Sequence, residues 1–581
     1  MLFSRLATYF GRLEETSSRN SLVEILAELF AEIPPDEIAP TTYLLQGRLA
    51  PFYVPIEIGM GVNYVADAIA LVHGVDRAAV LERFNRLGDI GLAAGELAQR
   101  LEAPTGDGPD VRSVFDGLTA VAEASGAGSI EQKVAALAAI LRSLDPIGAT
   151  YLCRIPVGKL RMGVGDPTIL DGYSFAKVGD KSLRKRLERA YNETSDLGLI
   201  GRTLWSEGIE AVDELTITVG NPVRPALAER LPNAEAILTK LGPSAIEKKF
   251  DGFRCQIHKM GQEVRVYSRN LEDMTGMFPE IAEATLTQVR AETAIFEGEA
   301  LAYNPLSDEY LPFQQTSRRR RKHNIGETAL EIPLRLFAFD VLYVDGVNVS
   351  PLAYTERRER LRALVAPGDT ILLSEEVIAH EPADLVAVFE SAVQGGLEGV
   401  VAKKLDSPYQ AGARNFNWVK LKRVQAGNLD DTVDCVVIGY IHGRGKRSAL
   451  GVGALLVAVY DPERDVFPSI TKIGTGLTDA EWREVRERCE PFVAAEKPAR
   501  VESVLKPSVW VAPAVVIEVL ADEITRSPIH CAGAADGEHG YALRFPRLVS
   551  FRDDDKRPED ATTVGEIVTL YGMQGAKPVA S

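Results

Sequence analysis

The spacing of apolar residues changes along the chain near Thr216. Before that point, apolar positions recur at helical spacing, as in the run from Leu22 to Ile33. After it, β-branched and aromatic runs alternate with turns, as in Ile295–Ala302 and Leu334–Tyr343. Helical stretches such as Tyr354–Leu364 intervene, so the pattern predicts an all-α region followed by a mixed α/β region.

The helical region carries start and stop signals of its own. Ser21 and Glu24 have the spacing of a capping box, and Pro34-Pro35 is expected to end that helix. The Gly-, Asp- and Pro-rich segment Pro104–Asp110 predicts a loop within the region.

A third pattern begins near Val433, where short strands alternate with glycine-rich turns. These strands are predicted at Cys435–Tyr440, Ala454–Tyr460 and Val515–Leu520, and they favour a small β-barrel. We therefore expect a multidomain protein with an all-α domain, an α/β (α+β) domain, a β-barrel domain and a short, poorly anchored tail. The predicted boundaries are 1–212, 213–426, 427–562 and 563–581.

Size and composition fit this division. The chain has 581 residues, more than a single hydrophobic core usually serves. Hydrophobic residues make up 46% and charged residues 25%, as is usual for soluble globular proteins. The formal net charge of -17 argues weakly against nucleic-acid binding, because phosphate contacts need lysine and arginine. Local clusters of those residues therefore matter more than the total.

The cysteines argue against a zinc ribbon and a disulfide framework, because they are far apart and form no C-x-x-C pair. They are Cys153, Cys255, Cys435, Cys489 and Cys531. Residues Met1–Phe10 have no sustained apolar stretch, and no apolar run is long enough to span a membrane. We therefore expect a cytoplasmic protein, nucleoid-associated in a prokaryote, without a signal peptide or membrane contact.

The segment Glu247–Arg254 contains the pattern K-x-D-G-x-R. As a strand running into a turn at Gly252, it would place Glu247, Lys249 and Asp251 on one face. A lysine acts as a nucleophile only after losing its proton, and a nearby cation or burial would favour that loss. Taken alone, however, such a segment is more often a surface strand with paired charges.

Five further motifs follow in a fixed order over about 170 residues. They are Ser268-Arg269-Asn270, Glu297-Gly298-Glu299, Phe337-Ala338-Phe339-Asp340, Glu398–Lys403 and Trp418–Lys422. With K-x-D-G-x-R, this set resembles the covalent nucleotidyltransferases, which comprise DNA ligases, RNA ligases and mRNA capping enzymes. The resemblance implies that Lys249 attacks the α-phosphate of a nucleotide and holds the nucleoside monophosphate as a phosphoramidate.

The resemblance also implies roles for other residues of the nucleotide site. Glu247 is at the position that reads adenine, and Phe339 at the position that stacks on it. Arg254 and Arg269 match residues that hold ribose and phosphate groups. The remaining cations expected at the nucleotide are Lys403, Arg414, Lys420 and Lys422, of which Lys420 and Lys422 alternate with apolar residues and share one strand face.

A divalent cation is expected as well. Glu299 and Glu398 are at the acidic positions of the family, and Mg²⁺ (or Mn²⁺) prefers oxygen ligands. Glu299 would thus serve both the nucleotide and the metal, while Glu297, where the family more often has Asp, has no assigned role.

A basic run, Arg318-Arg319-Arg320-Arg321-Lys322, lies within the same region. Such a run is usually a solvated loop. Beside a nucleotidyltransferase region we favour contact with the DNA backbone, which would be independent of base sequence.

Both ends of the chain favour a DNA ligase within this superfamily. The segment Leu543–Lys556 resembles the last ligase motif, in which Arg552 and Lys556 would orient pyrophosphate, and implies an OB-fold. Three residues separate them where the family usually has two, so Lys556 is shifted by one position. Leu160–Val164, Thr168–Asp171 and Pro222–Ala228 resemble the helical DNA-binding domain of archaeal and eukaryotic replicative ligases.

The expected function is therefore ATP-dependent sealing of nicks in duplex DNA during replication, recombination and repair. AMP-lysine and DNA-adenylate would be its intermediates, and a 3′-hydroxyl would be joined to a 5′-phosphate. The expected protein is a monomer, with a sliding clamp among its conceivable partners. The alternatives are an RNA ligase or other covalent nucleotidyltransferase, and a non-catalytic DNA clamp. The cysteine pattern argues against an NAD-dependent ligase.

Overall fold

In the computed structural model, the described residues are 1–16, 18–99, 108–305, 309–311, 313–321, 324–395, 397–422, 432–442, 451–474, 477–534 and 539–573, without the side chains of 313, 314, 317 and 573. The chain divides into two compact units. The first comprises Met1–Tyr191, Asp196–Leu215 and Glu490–Arg500, and the second comprises Asn192–Ser195, Thr216–Cys489 and Val501–Ser581.

The first unit is built mainly from helices. They are α1 (Phe3–Glu15), α2 (Arg19–Glu32), α3 (Ile38–Leu45), α4 (Val62–His73), α5 (Arg77–Leu87), α6 (Ile90–Ala98), α7 (Val111–Glu123), α8 (Ser129–Arg142), α9 (Pro146–Arg154), α10 (Asp166–Val178), α11 (Arg184–Thr194, which ends in the second unit), α12 (Leu197–Ser206) and α13 (Ile209–Asp213). Their apolar faces form one continuous core, as the helical periodicity predicts.

The capping-box prediction for α2 is wrong in its register. Ser18 is the N-cap, and its hydroxyl accepts a hydrogen bond from the backbone N–H of Ser21 at 3.4 Å. Ser21 and Glu24 therefore lie inside the helix, because a serine three residues earlier already fills the capping position. The predicted end is confirmed, since α2 stops at Glu32, just before Pro34-Pro35.

The second unit contains most of the strands, interspersed with helices. In chain order these are β1 (Leu227–Arg230), α14 (Ala234–Leu241), β2 (Ser244–Lys249), β3 (Phe253–Met260), β4 (Glu263–Ser268), α15 (Pro279–Gln288), β5 (Thr293–Ala302), α16 (Phe313–Thr316), α17 (Ile325–Glu331), β6 (Leu334–Val344), β7 (Val347–Asn348), α18 (Tyr354–Leu364), β8 (Ile371–Leu373), β9 (Glu376–Ala379), α19 (Pro382–Gln394), β10 (Gly399–Lys404), β11 (Arg414–Lys422), β12 (Val433–Ile441), β13 (Ala454–Ala458), β14 (Phe467–Ile473), α20 (Asp479–Cys489), β15 (Val493–Ala494, in the segment of the first unit), β16 (Val501–Glu502), β17 (Val509–Val511), β18 (Val516–Leu520), β19 (Glu523–Ser527), β20 (Gly540–Arg544), β21 (Arg547–Phe551) and α21 (Val564–Met573). Every strand and helix predicted by range in this part of the chain is found, with bounds that agree within two residues.

Two sheets organise the part of this unit before residue 422. One has the strand order β1-β11-β10-β2-β9, and the other has the order β4-β3-β5-β6-β7 with β8 beside β6. Helices α14 and α19 pack on the first sheet. A smaller apolar cluster joins residues of both sheets, including Ile295 and Leu342 from the second and Trp418 from the first. The mixed α/β prediction is confirmed here.

After residue 432 the strands form a further sheet centred on β12. β12 pairs antiparallel with β13, β17 and β18, β13 pairs with β14, and β18 pairs with β21. The predicted poorly anchored tail differs from what is found, because 564–573 form the helix α21, with Ile567 and Leu570 buried. Among the described helices, none is long and apolar enough to cross a membrane.

Candidate active site

A cavity of about 950 Å³ lies in the second unit. Its walls come from both sheets before residue 422 and from the segments 432–434 and 549–566. All the side chains predicted for nucleotide, metal and pyrophosphate line it: Glu247, Lys249, Arg254, Arg269, Glu299, Phe339, Glu398, Lys403, Arg414, Lys420, Lys422, Arg552 and Lys556. The fold thus gathers residues that are up to 309 positions apart in sequence, counting from Glu247 to Lys556.

Lys249 is the last residue of β2, which lies between β10 and β9 in its sheet. Its Nζ donates a hydrogen bond to Oε2 of Glu398. Burial alone would lower the pKa of Lys249, but the Glu398 carboxylate raises it above its ordinary value. In this state Lys249 is therefore a paired ammonium group. The neighbouring Lys248 also lines the cavity, but its Nζ pairs with Glu375 at 2.8 Å.

Glu398 lies between two lysines. Besides Lys249, it pairs with Lys422 on β11, whose Nζ lies 2.5 Å from Oε1. Burial would raise the pKa of Glu398, but the two ammonium groups hold it well below its usual value. Glu398 is thus fully ionised and holds the two cations side by side.

Glu299 on β5 is a carboxylate of different character. Its Oε1 accepts a hydrogen bond from the backbone N–H of Gly252 at 3.1 Å. Burial raises its pKa to about 7, although Lys249 and Arg254 act in the opposite direction. A cation beside this carboxylate would stabilise its ionised form, because the cation offsets the hydration that burial removes.

Two glycines allow the backbone to pass closely at this point. A Cβ on Gly252 would lie 2.3 Å from the carbonyl oxygen of Ala300, and one on Gly399 would lie 2.1 Å from that of Leu421. Gly399 also has φ of +144°, which disfavours other residues. These glycines follow Asp251 and Glu398 directly, so the close packing fixes where the acidic side chains emerge.

Strand β11 supplies further cations of the cavity besides Lys422. Lys420 pairs at 3.0 Å with Glu566 of α21, and Arg414 pairs with the same carboxylate. Burial lowers the pKa of Lys420 to about 8, despite the attraction of Glu566. The predicted shared face of Lys420 and Lys422 agrees with the geometry, since both line the cavity.

Aromatic side chains and an ion pair form one end of the cavity. Lys403 lies 2.7 Å from Oε1 of Glu247, and its Nζ is 4.4 Å from the ring centroid of Trp418 and 4.7 Å from that of Phe339. Lys403 therefore belongs with the aromatic wall and Glu247 rather than with Lys420 and Lys422. Phe339 and Trp418 meet edge to face, with centroids 5.9 Å apart.

Arg254 is held from several sides. It donates to Oε2 of Glu297 at 2.9 Å and to the carbonyl oxygen of Ala226 at 2.7 Å, while its guanidinium lies over the ring of Phe339. Tyr409 donates to the same Glu297 oxygen at 2.8 Å. Glu297, which the motif leaves without a role, thus acts as the anchor of Arg254.

Two further cations of the cavity come from the C-terminal region. Arg552 pairs with Asp555 at 2.7 Å, and Lys556 pairs with Asp434. The backbone N–H of Lys556 donates to the carbonyl oxygen of Arg552 at 2.7 Å. A tight turn therefore absorbs the additional residue between Arg552 and Lys556, and both side chains line the cavity. Arg269 is 3.7 Å from Asp560.

Comparison with known families covers most of the chain. Residues 225–422 match the model described as ATP dependent DNA ligase domain, residues 2–174 match DNA ligase N terminus, and residues 448–555 match ATP dependent DNA ligase C terminal region. A probable DNA ligase of Dictyoglomus turgidum is 49% identical over 579 residues, which cover 100% of this chain and 99% of the relative. A DNA ligase of Aeropyrum pernix is 40% identical over 593 residues, which cover 99% of this chain and 98% of the relative.

The chain belongs to the ATP-dependent DNA ligase family. The predicted family, enzyme class and nick-sealing function are confirmed, and ATP is the nucleotide that the family uses. The predicted multidomain organisation is confirmed as well. It comprises an N-terminal helical part, a central nucleotidyltransferase part and a C-terminal part that contains strands.

The structure corrects one member of the predicted DNA-binding run. The Arg319 side chain is buried and donates to Glu280 at 2.6 Å and to the carbonyl oxygens of Met277 and Ile332. It therefore braces this part of the ligase and cannot contact DNA. Arg318 and Arg321 are exposed, and Arg320 pairs with Glu272 at the cavity. Lys322 lies outside the described residues.

Sequence reasoning missed two functional candidates of this ligase. Glu566 falls in the predicted tail, although Thr563 and Glu566 form a capping box with reciprocal backbone hydrogen bonds of 2.9 and 3.3 Å. That T-x-x-E signal is present in the sequence and would have predicted α21. The hydroxyl of Tyr354 lies 2.6 Å from Oε1 of Glu247. No sequence pattern predicts this contact, because 107 residues separate the two.

Proposed function

We propose that this chain seals nicks in duplex DNA through an AMP group carried on Lys249, with the residue roles that the ligase motifs imply. The observation that carries the proposal is the position of Lys249. Its Nζ lies in a cavity lined by two carboxylates of the metal positions, by the cations of β11 and by the aromatic end around Phe339. Lys248, the alternative nucleophile, also lines the cavity but pairs with the exposed Glu375 instead of Glu398.

In the first step, Nζ of Lys249 attacks the α-phosphorus of ATP. A nitrogen–phosphorus bond forms, the bond to the β-phosphate oxygen breaks, and pyrophosphate leaves with that electron pair. Glu398 raises the pKa of Lys249 and so keeps it protonated, and the ammonium group must first give its proton to water before the neutral amine attacks. Lys420, Lys422 and Arg414 then stabilise the charge on the transferred phosphate.

Glu299 and Glu398 are the residues proposed to hold Mg²⁺ or Mn²⁺. The raised pKa of Glu299 fits a carboxylate that awaits a cation. Within the described residues, no group of three His, Cys, Asp or Glu side chains could hold a metal. That agrees with Mg²⁺, which is commonly bound by one or two carboxylates together with substrate phosphates. The bound cation would supply charge neutralisation at those phosphates.

The base and the pyrophosphate occupy opposite ends of the site in this proposal. Glu247 and Lys403 read the base, and Phe339 stacks on it. Arg254 and Arg269 hold ribose and phosphate groups. Arg552 and Lys556 orient the pyrophosphate, which requires that they leave Asp555 and Asp434.

The later steps take place on DNA. AMP passes from Lys249 to the 5′-phosphate of the nick, and the 3′-hydroxyl then attacks that phosphate and releases AMP. The division 1–212, 213–426, 427–562 and 563–581 gives a helical DNA-binding domain, an adenylation domain, an OB-fold and a C-terminal segment. The antiparallel pairing around β12 supports the OB-fold assignment. Action as a monomer, roles in replication, recombination and repair, and recruitment by a sliding clamp belong to the same proposal.

The test is incubation with α-labelled ATP and Mg²⁺, followed by a denaturing gel. The native chain should give a labelled protein band, Lys249→Ala should give none, and the matched Lys248→Ala variant should keep it. A band that persists in Lys249→Ala contradicts the assignment. Chase of the labelled protein with nicked DNA or nicked RNA then identifies the polynucleotide, and transfer to RNA alone would favour an RNA ligase.

A further inference from the structure

The hydroxyl of Tyr354 lies deep beneath the aromatic end of the cavity. Tyr354 is the first residue of α18 and is 1% exposed. Its hydroxyl is 2.6 Å from Oε1 of Glu247 and also lies within hydrogen-bond distance of Oε2 of Glu376. The adenylation chemistry assigns no role to this residue, although it touches the side chain proposed to read the base.

The single proton of the hydroxyl can serve only one of these two carboxylates at a time. Glu376 already has two guanidinium partners, because Arg358 lies 3.4 Å away and Arg362 donates a hydrogen bond to it. Burial raises the pKa of Tyr354 well above its ordinary value, so the hydroxyl keeps its proton. The proton is therefore available to Glu247.

The position of the hydroxyl does not depend on a bound nucleotide. Arg357, three residues along α18, pairs with the buried Asp340 at 2.8 and 3.0 Å and donates to the carbonyl oxygen of Ser407 at 2.9 Å. This buried bidentate pair attaches the first turn of α18 to β6. Tyr354 consequently presents its hydroxyl to Glu247 from a rigid support.

Oε1 of Glu247 is used twice, by the Tyr354 hydroxyl and by Nζ of Lys403 at 2.7 Å. Among the described residues, Glu247 accepts no side-chain hydrogen bond through Oε2. Fixing Oε1 therefore leaves Oε2 as an oriented acceptor at the cavity. An ionised carboxylate accepts hydrogen bonds and repels carbonyl oxygens, so it favours a purine with an amino group at position 6 over one with an oxygen there.

We propose that Tyr354 is a positioning residue that sets the selectivity of the ligase for a 6-aminopurine nucleotide by fixing the carboxylate of Glu247. This rests on the proposed function, because it needs Glu247 at the base. Without the hydroxyl, only Lys403 holds Oε1, and the Glu247 carboxylate can rotate more widely about its terminal torsion. It then contacts the amino group of adenine less well and tolerates a carbonyl oxygen better.

The test compares self-adenylation with α-labelled ATP and self-inosinylation with α-labelled ITP, which differs from ATP at position 6 and in the proton on N1. The measured quantity is the ratio of kcat/KM for the two nucleotides. Tyr354→Phe removes only the hydroxyl and should lower the ATP/ITP ratio by about 10-fold, the loss typical of one hydrogen bond to a charged group. The fall should come mainly from a higher KM for ATP.

Two variants control for general effects. Tyr460→Phe removes another buried tyrosine hydroxyl, which donates a hydrogen bond of 3.0 Å to Asp465. Tyr460 does not line the cavity, so this variant should leave the ratio unchanged. Glu376→Gln weakens the competing carboxylate, and its ratio should stay equal or rise. A lower ratio in Glu376→Gln would overturn the proposal even if Tyr354→Phe did not fold.

The outcomes separate this inference from the function on which it rests. A native chain that forms no labelled band with ATP contradicts the proposed function. A native chain that labels equally well with both nucleotides, or a Tyr354→Phe variant in which ATP and ITP fall together, overturns the role of Tyr354 and leaves the ligase assignment intact.

Discussion

Glu299 is a carboxylate whose position in the fold disfavours its own charge. Burial raises its pKa from the ordinary 4.5 to about 7, so the ionised form costs the folded state free energy that the unfolded chain does not pay. The folded pKa is above the unfolded one, and stability should therefore fall as the pH rises from about 4.5 to about 7. Above pH 7 the full cost is present.

Glu299→Gln should accordingly stabilise the nucleotide-free protein at pH 8 while abolishing self-adenylation. Glu299 is only partly buried, so solvent screening reduces the gain, and we expect a rise in Tm of about 1–3 °C. At pH 4, below both the unfolded and the folded pKa, the difference should nearly vanish. Thermal unfolding at the two pH values measures the difference in Tm between Glu299→Gln and the native chain. An equal difference in Tm at both pH values would show that the charge of Glu299 is not the cause.

At the scale of the element, the turn between β2 and β3 directly follows the nucleophile Lys249 and depends on Gly252. A Cβ there would lie 2.3 Å from the carbonyl oxygen of Ala300, so Gly252→Ala must displace β3 from β5. We expect a loss of about 1–3 kcal/mol in the free energy of unfolding, as for other overpacked sites, together with slower self-adenylation.

Gly276→Ala is the matched control for that substitution. A Cβ on Gly276 meets nothing within 4 Å, so its free energy of unfolding and its self-adenylation should stay close to those of the native chain. Chemical denaturation and the labelling assay on both variants provide the comparison. Equal behaviour of the two alanine variants would mean that the close approach at Ala300 is not what holds the turn.

Elements were predictable where the local signal was strong. α18 has its predicted bounds, Tyr354–Leu364. The strand of K-x-D-G-x-R ends at Lys249, so Asp251 lies beyond it, before the turn expected at Gly252. The partners of the site residues were not predictable, because they come from distant segments. Glu566 meets Lys420 across 146 residues. Nor does a run of arginines indicate which member, here Arg319, points into the core.

At the scale of the whole molecule, the net charge of -17 opposes binding to another polyanion. Affinity for DNA must then come from local basic groups, and Arg318 and Arg321 are exposed members of the basic run. Each arginine bound to a phosphate should release condensed counterions, so the logarithm of the association constant should fall with the logarithm of salt concentration.

The combined variant Arg318→Ala with Arg321→Ala should bind nicked duplex DNA more weakly at low salt. Its salt slope should be smaller in magnitude by about 0.9 for each phosphate that is no longer neutralised, hence by about 2 if both arginines bind. Fluorescence anisotropy over a salt series measures the slope. Arg464→Ala, which removes an exposed arginine paired with Glu502 away from the cavity lining, serves as the control. An unchanged slope in the double variant would mean that neither arginine touches phosphate, since a loss of shape or stability alone would shift affinity at every salt concentration without altering its slope.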